Sequence, residues 1–195
     1  MDYKGDLYYI SQVLGGNISA FTSLVNRHKD HAYNLALRIC GNNEDAEEVA
    51  QDSFLKAYRS LARFRMKSSF STWLYRIIYN TAISYIRAKN YTTLNLDDFP
   101  AVPSDFATDG STEETEMTEY RKSLVNFALK NIKEDERALI TLFYYEDLRM
   151  EEIAEITGLS MSNIKTKLFR ARKKMCGIIE KAETKNLVYY EQRQV

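Results

Sequence analysis

The sequence predicts an all-α protein made of two small helical domains joined by an acidic flexible linker. Three observations predict it. Apolar residues recur at steps of three and four on both sides of the linker, which is the helical period, and no stretch alternates with period two. Both prolines, Pro100 and Pro103, fall in one short region with Gly110 and a cluster of Ser, Thr and Asp, where they break helix. The charge divides in the same places. Residues 1–92 hold 12 Lys/Arg and 8 Asp/Glu, residues 93–118 hold 7 acids and no base, and residues 119–195 hold 15 bases and 12 acids. A formal net charge of zero therefore conceals two basic segments flanking an acidic connector.

Composition narrows the class. With 195 residues, 45% of them apolar and 28% charged, the chain resembles an ordinary globular protein. No apolar run approaches the roughly 18 residues of a membrane span, so no membrane insertion is expected. Asp2, Lys4 and Asp6 at the start do not read as a signal peptide. Cys40 and Cys176 stand far apart without a CxxC spacing, which argues against a disulfide framework or a zinc ribbon and for a reduced, cytoplasmic protein.

The elements follow in order. A short helical segment spans about Leu7 to Leu14, and Gly15, Gly16 and Asn17 separate it from the next. The first long stripe runs Ile18, Phe21, Leu24, Val25, His28, Ala32, Leu35 and Ile39 and stops at Gly41, Asn42 and Asn43. Asn43 is a suitable cap for the second long helix, which places Glu44, Asp45, Glu47 and Glu48 in its first turns, where the helix dipole favours anions. Its apolar stripe is Ala46, Val49, Phe54, Ala57, Leu61 and Phe64. A third helix starts near Ser69 and carries Phe70, Trp73, Leu74, Ile77, Ile78, Ala82, Tyr85 and Ile86. Beyond the linker, one helix is expected near Glu116–Ile132 and another from about Glu134.

The segment Met150–Met175, MEEIAEITGLSMSNIKTKLFRARKKM, has the layout of a helix-turn-helix. A short helix over Met150–Thr157 is followed by a turn at Gly158-Leu159-Ser160, with Ser160 as cap of a second helix. The second helix has a buried stripe of Ile164, Leu168, Ala171, Met175, Ile178 and Ala182. Its opposite face carries Ser162, Asn163, Lys165, Thr166, Lys167, Phe169, Arg170, Lys173 and Lys174, and no acid lies between Glu155 and Glu180. Cations, amides, hydroxyls and one aromatic suit contact with base edges and phosphates.

Two further patterns lie in the first half. Asp45, Glu48, Gln51 and Asp52 share one flank of their helix, which suits either dipole complementarity or docking on a basic partner. Phe64–Lys89, FRMKSSFSTWLYRIIYNTAISYIRAK, interleaves aromatics with bases and has no acid, a composition that suits single-stranded nucleic acid. The polar Lys67-Ser68-Ser69 loop between Phe64 and Phe70 could hold an extruded base.

In this order, DAEEVAQDSF (Asp45–Phe54), FRMKSSFSTWLYRIIYNTAISYIR (Phe64–Arg87) and the helix-turn-helix resemble a bacterial sigma factor of the extracytoplasmic-function group of the sigma-70 family. The resemblance implies a sigma domain 2 over residues 1–92, an acidic linker over 93–118, a sigma domain 4 over 119–185 and a tail over 186–195. It implies that Asp45, Glu48, Gln51, Asp52 and Phe54 dock on core RNA polymerase. Phe64, Lys67, Ser68, Ser69, Phe70 and Asn80 would surround the flipped −10 base. Lys165, Thr166, Phe169 and Arg170 would meet the −35 element, with Arg172 and Lys173 on phosphates. The linker would run through the polymerase channel. Core polymerase and promoter DNA are the implied partners, with an anti-sigma factor as a further one. No cofactor, metal, small-molecule substrate or enzymatic activity is implied. Two residues depart from the family pattern: Ser84 stands where many members have Asp, and Lys165 where many have Arg, and lysine lacks the planar fork of arginine.

Other classes remain open on the sequence alone. An autonomous helix-turn-helix regulator would account for residues 134–175 but not for the first half. A metalloenzyme would use His28 and His31 with Asp30 and Cys40, although no further ligand spacing supports it.

Overall fold

The computed structural model describes the backbone of residues 3–92 and 113–193, and side chains over 5–89 and 117–184. Every element among them is helical. The first half holds α1 (Tyr3–Leu14), α2 (Ala20–Cys40), α3 (Asn43–Ser60), a 3₁₀ turn (Leu61–Arg63) and α4 (Phe70–Thr92). The second holds α5 (Glu113–Lys130), α6 (Glu134–Ile140), a π-helical turn (Thr141–Tyr145), α7 (Met150–Thr157) and α8 (Met161–Arg193).

Local chemistry explains the boundaries. Gly41 ends α2 at φ 87°, a left-handed position open to glycine, and its N–H bonds the Leu37 carbonyl. The cap of α3 is Asn42 rather than the expected Asn43: its side-chain oxygen accepts from the Asp45 N–H at 2.9 Å. Ile18 is excluded from the α2 stripe because the helix begins two residues later, which leaves Ile18 exposed.

Two boundaries differ from expectation in the second half. Helix α5 starts at Glu113, inside the expected linker, because Glu113, Glu114 and Glu116 sit favourably at a helix N-terminus. Helix α8 runs on to Arg193, through most of the expected tail. Pro100, Pro103, Asp97, Asp98, Asp105 and Asp109 of the expected linker lie outside the described residues.

Leu24, Leu35, Ile39, Leu74 and Ile78 fill the core of the first half, and Leu139, Leu142, Ile153, Ile156 and Ile164 that of the second. These are not two separate cores. Buried residues from both halves form one continuous cluster, with α7 and α6 packed on α4 and α2.

Polar bonds span the same boundary. The Tyr75 hydroxyl donates to the Glu146 carboxylate at 2.7 Å. The Arg38 guanidinium lies over the Tyr145 ring, 3.9 Å from its centroid. Arg137 on α6 donates to the Ile39 carbonyl at 3.1 Å and to the Lys130 and Ile132 carbonyls at 3.2 Å each. The last carbonyls of a helix have no partner within the helix. One planar guanidinium with five donors thus satisfies the ends of α2 and α5 together.

Candidate nucleic-acid interface

The polar loop between the 3₁₀ turn and α4 is built on a ring cluster. Phe64 and Phe70 are 7% and 1% exposed. Phe70 contacts Phe64, Trp73 and His28 edge-on or tilted, with centroids 6.1, 5.7 and 5.1 Å away. Both phenylalanines therefore form the floor of the loop and present no face for stacking. Ser69 caps α4: its hydroxyl oxygen accepts from the Thr72 N–H at 3.0 Å and lies 2.8 Å from the Ser71 and Thr72 hydroxyls. Lys67 is exposed, and Ser68 is half-buried. Asn80 is exposed on α4, about 15 Å along its axis from Phe70.

At the loop tip stands Met66 with φ 56°, a left-handed conformation that is uncommon for a side chain of this size. No sequence signal marks such a residue.

His28, read as a conceivable metal ligand, supports this floor instead. It is buried, its Nε2 lies 3.0 Å from Asp6 Oδ2, and burial lowers its pKa despite that carboxylate. His31 points elsewhere, 3.8 Å from Glu146. Among the described residues no group of three or more His, Cys, Asp or Glu side chains is placed to hold a metal ion.

The acidic flank of α3 is split by the fold. Asp45 is only 6% exposed. It accepts from Asn42 at 2.7 Å, Tyr85 at 3.1 Å and Lys89 at 2.8 and 2.9 Å. Burial opposes its ionisation, but the hydrogen bonds from Asn42, Lys89 and Tyr85 outweigh this and hold the carboxyl below its usual range. Glu48 is exposed and accepts from the Tyr85 hydroxyl at 2.9 Å. Gln51 is exposed, and Asp52 pairs with Lys56 at 2.7 Å on the surface. Phe54 packs partly into the core. Leu55, an apolar residue that the sequence reading did not single out, is 54% exposed on the flank of Gln51 and Asp52. The i,i+3 and i,i+4 spacing from those residues could have located it.

The Asp45 network has a pH signature. A carboxyl with a depressed folded pKa contributes stability above its unfolded pKa, about 3.9, and loses it as the pH falls through the folded value. Urea unfolding followed downward from about pH 5 should show a steeper acid loss in the natural protein than in Asp45→Asn. Parallel curves would mean the carboxylate contributes no such term.

The helix-turn-helix is formed by α7 and α8. Gly158 closes α7 at φ 73°, with its N–H on the Ala154 carbonyl at 2.9 Å, and the Ser160 hydroxyl accepts from Asn163 at 3.3 Å. Ile164, Leu168, Ala171 and Ala182 are buried as expected, with Met175 and Ile178 half-buried. All six expected −35 residues are exposed on α8: Lys165, Thr166, Phe169 (61%), Arg170, Arg172 and Lys173. Arg172 also donates to the Tyr144 hydroxyl at 3.1 Å.

Two cations of the expected DNA face turn elsewhere. Lys167 bonds Asp135 at 2.5 Å and Lys174 bonds Glu136 at 2.6 Å, which fastens α8 to α6. Sequence spacing placed them with their neighbours, but carboxylates from α6 claim them.

The packing of the halves also brings charges together that are far apart in sequence. Lys67, Ser68, Ser69 and Thr72 share a cleft of about 450 Å³ with Arg149, which precedes α7, and with Glu151, Glu152 and Glu155 of α7. Three carboxylates thus face the polar loop.

Residues 24–91 match Sigma-70 region 2, and residues 125–175 match Sigma-70, region 4. The chain is 37% identical over 173 residues to the ECF RNA polymerase sigma-E factor of Haemophilus influenzae, which covers 86% of this chain and 91% of that one. It is 32% identical over 169 residues to the ECF RNA polymerase sigma factor SigW of Bacillus subtilis, covering 84% and 90%. Among solved structures, CnrH in complex with the cytosolic domain of CnrY shares the fold at a TM-score of 0.63 and 23% identity, covering 90% of this chain and 97% of that one. The sigma factor RpoE of Bartonella quintana, in complex with the anti-sigma factor NepR, also has a TM-score of 0.63 at 23% identity, covering 82% and 96%.

Proposed function

The chain belongs to the extracytoplasmic-function group of the sigma-70 family of RNA polymerase sigma factors, and from that membership we propose how its halves divide promoter recognition. Residues 1–92 dock on core RNA polymerase and engage the −10 element as a melted single strand. Residues 119–185 read the −35 element as duplex. The acidic segment 93–118, whose last residues enter α5, joins them, and 186–195 is the tail, of which the residues up to Arg193 extend α8.

The observation that carries this reading is the face of α8. Lys165, Thr166, Phe169 and Arg170 stand exposed on a helix that follows a helix-turn-helix turn, and no acid lies among them. They meet base edges, while Arg172 and Lys173 hold phosphates. On the first half, Glu48, Gln51 and Asp52 with Leu55 offer polymerase an acidic surface around an apolar contact. Asp45 and Phe54 act beneath it, as the bonds and packing that set α3 in place. At the −10 element, Lys67, Ser68 and Asn80 are the accessible groups. Phe64, Ser69 and Phe70 shape the loop from within.

The packed halves must part for this work. Two elements about 25 base pairs apart are about 85 Å apart along B-DNA. A compact chain of this length has a radius of gyration of about 16 Å and is about 40 Å across. The packed state therefore represents the protein away from its promoter, with Glu151, Glu152 and Glu155 standing at the polar loop where phosphates would otherwise come.

The protein acts by binding, without chemistry of its own, in the cytoplasm where its polymerase is. No helix among the described residues is long and apolar enough to cross a membrane. A protein antagonist of the anti-sigma type is a further proposed partner, in line with the complexes solved for RpoE of Bartonella quintana.

The test is titration with bacterial core RNA polymerase at stated salt, followed by run-off transcription from a pool of promoter fragments. Saturable association with new, specific transcripts is expected. Footprinting of DNA by the protein alone, with no polymerase association, would make it an autonomous regulator. Asp52→Arg should weaken polymerase affinity about tenfold or more without shifting the unfolding midpoint, since the charge reversal lies on the surface. Arg170→Ala should reduce specific initiation by the equivalent of about 1–3 kcal/mol while polymerase affinity holds. Equal loss of both activities in Arg170→Ala would refute the division of roles.

A further inference from the structure

A second basic site lies far from α8 in sequence, between the end of α2 and α5. Two adjoining clefts, of about 540 and 510 Å³, share Arg38 and Asn126 in their walls. Among the described residues they are lined by five cations, Arg38, Arg121, Lys122, Lys130 and Arg137, and by no carboxylate. Such a concentration of one sign attracts an anion.

Two described acids near the cleft are engaged with other partners. Asp45 is held by Asn42, Tyr85 and Lys89, and Glu119 pairs with Lys122, both side chains being exposed. Arg121 and Lys130 have no carboxylate within ion-pair distance among the described residues. Two buried donors are also unsatisfied. The Nε of Arg38 and the Nε of Arg137 have no hydrogen-bond partner. Unpaired buried donors are rare and call for an explanation. Arg137 spends its terminal nitrogens on carbonyls, which leaves Arg38, Arg121 and Lys130 as the groups able to turn to a ligand.

We propose that this cleft binds an oligophosphate, either an inorganic chain or the phosphate tail of a nucleotide. Guanidinium groups bind phosphate through paired N–H donors, and lysines add point charge. The amides of Asn43 and Asn126 supply further donors in the walls. Tyr145, half-exposed with Arg38 over its ring, offers an aromatic edge beside the phosphates to a nucleoside. The walls come from both halves, so the ligand binds only the packed state and favours it by mass action. The inference rests on the packed arrangement described above, and links promoter recognition to a soluble phosphate compound.

Calorimetric titration of the full chain with sodium tripolyphosphate, and separately with ATP, tests this at about 50 mM salt, a condition under which charge contacts are little screened. Small-angle scattering is recorded on the same samples. One ligand per chain is expected. The affinity should fall about tenfold in Arg121→Gln/Lys130→Gln, whose positions are exposed and leave the fold intact, and similarly in Arg38→Gln. Lys165→Gln/Arg170→Gln, which removes charge from α8, should leave it unchanged. ATP binding tighter than tripolyphosphate would place a nucleoside in the site; equal or weaker binding would assign it to the phosphate chain alone. Absence of saturable binding by a compact particle would overturn the site. So would binding lost on α8 and retained in the cleft variants. An expanded particle that fails to bind would overturn the packed arrangement, and the site with it.

Discussion

Phe70→Ala should lower the free energy of unfolding by about 3–5 kcal/mol, the range for removing a large buried aromatic side chain. That is a large part of the roughly 5–15 kcal/mol that holds a domain folded. The ring is almost wholly enclosed, between Phe64, Trp73 and His28. It follows directly on Ser69, the cap of α4. Losing the ring should therefore disturb the cap and the Lys67-Ser68 loop above it. Denaturant unfolding of Phe70→Ala and Phe70→Leu checks the claim, with the leucine variant losing less because it refills part of the space. A loss below about 1 kcal/mol for alanine would mean the ring is not part of the core. In that event direct stacking on a base would again explain its place in the sequence.

Arg137→Ala should both destabilise the protein and loosen its two halves. The substitution removes the donors to Ile39, Lys130 and Ile132 at the ends of α2 and α5. Hydrogen bonds from a charged group contribute about 1.5–3 kcal/mol each, and carbonyls that regain water recover part of this, so a net loss of about 3 kcal/mol is expected. Lysine is no substitute, because a point charge on a flexible stem cannot reach three carbonyls in one plane. Small-angle scattering should show a larger radius of gyration for Arg137→Ala than the roughly 16 Å of the compact chain. An unchanged radius together with an unchanged unfolding midpoint would show that apolar packing alone holds the halves. The space around Arg137 is already tight: a Cβ added at Gly41 would lie 2.8 Å from its Nη1. The left-handed backbone and this close approach both favour glycine there.

How much of the protein was legible in its sequence follows from which forces act locally. Helices were legible because their period, caps and breakers lie within a few residues of each other. The stripe Ile164, Leu168, Ala171 and Ala182 is buried as its spacing predicts, and Gly158 closes α7 where the turn was expected. The family was legible for the same reason, because its three motifs are continuous segments of chain. The exposed face of α8 was legible because a charged face without acids has little reason to be buried.

The tertiary structure decided what each candidate side chain has left to offer. Asp45 and Glu48 look alike in sequence, yet Asp45 is consumed by Tyr85 and Lys89, some forty positions away. Lys165 and Lys167 look alike, yet Lys167 is taken by Asp135 across the fold. Phe54 packs partly into the core as its stripe predicts, while Leu55, one residue on and about 100° round the helix, is exposed. The contacts of Arg38, Tyr75, Arg137 and Glu146 across the two domains are ones that no local pattern brings together. A sequence carries the period and chemistry of each element, whereas hydrogen bonds and burial between distant elements exist only once the chain has closed upon itself.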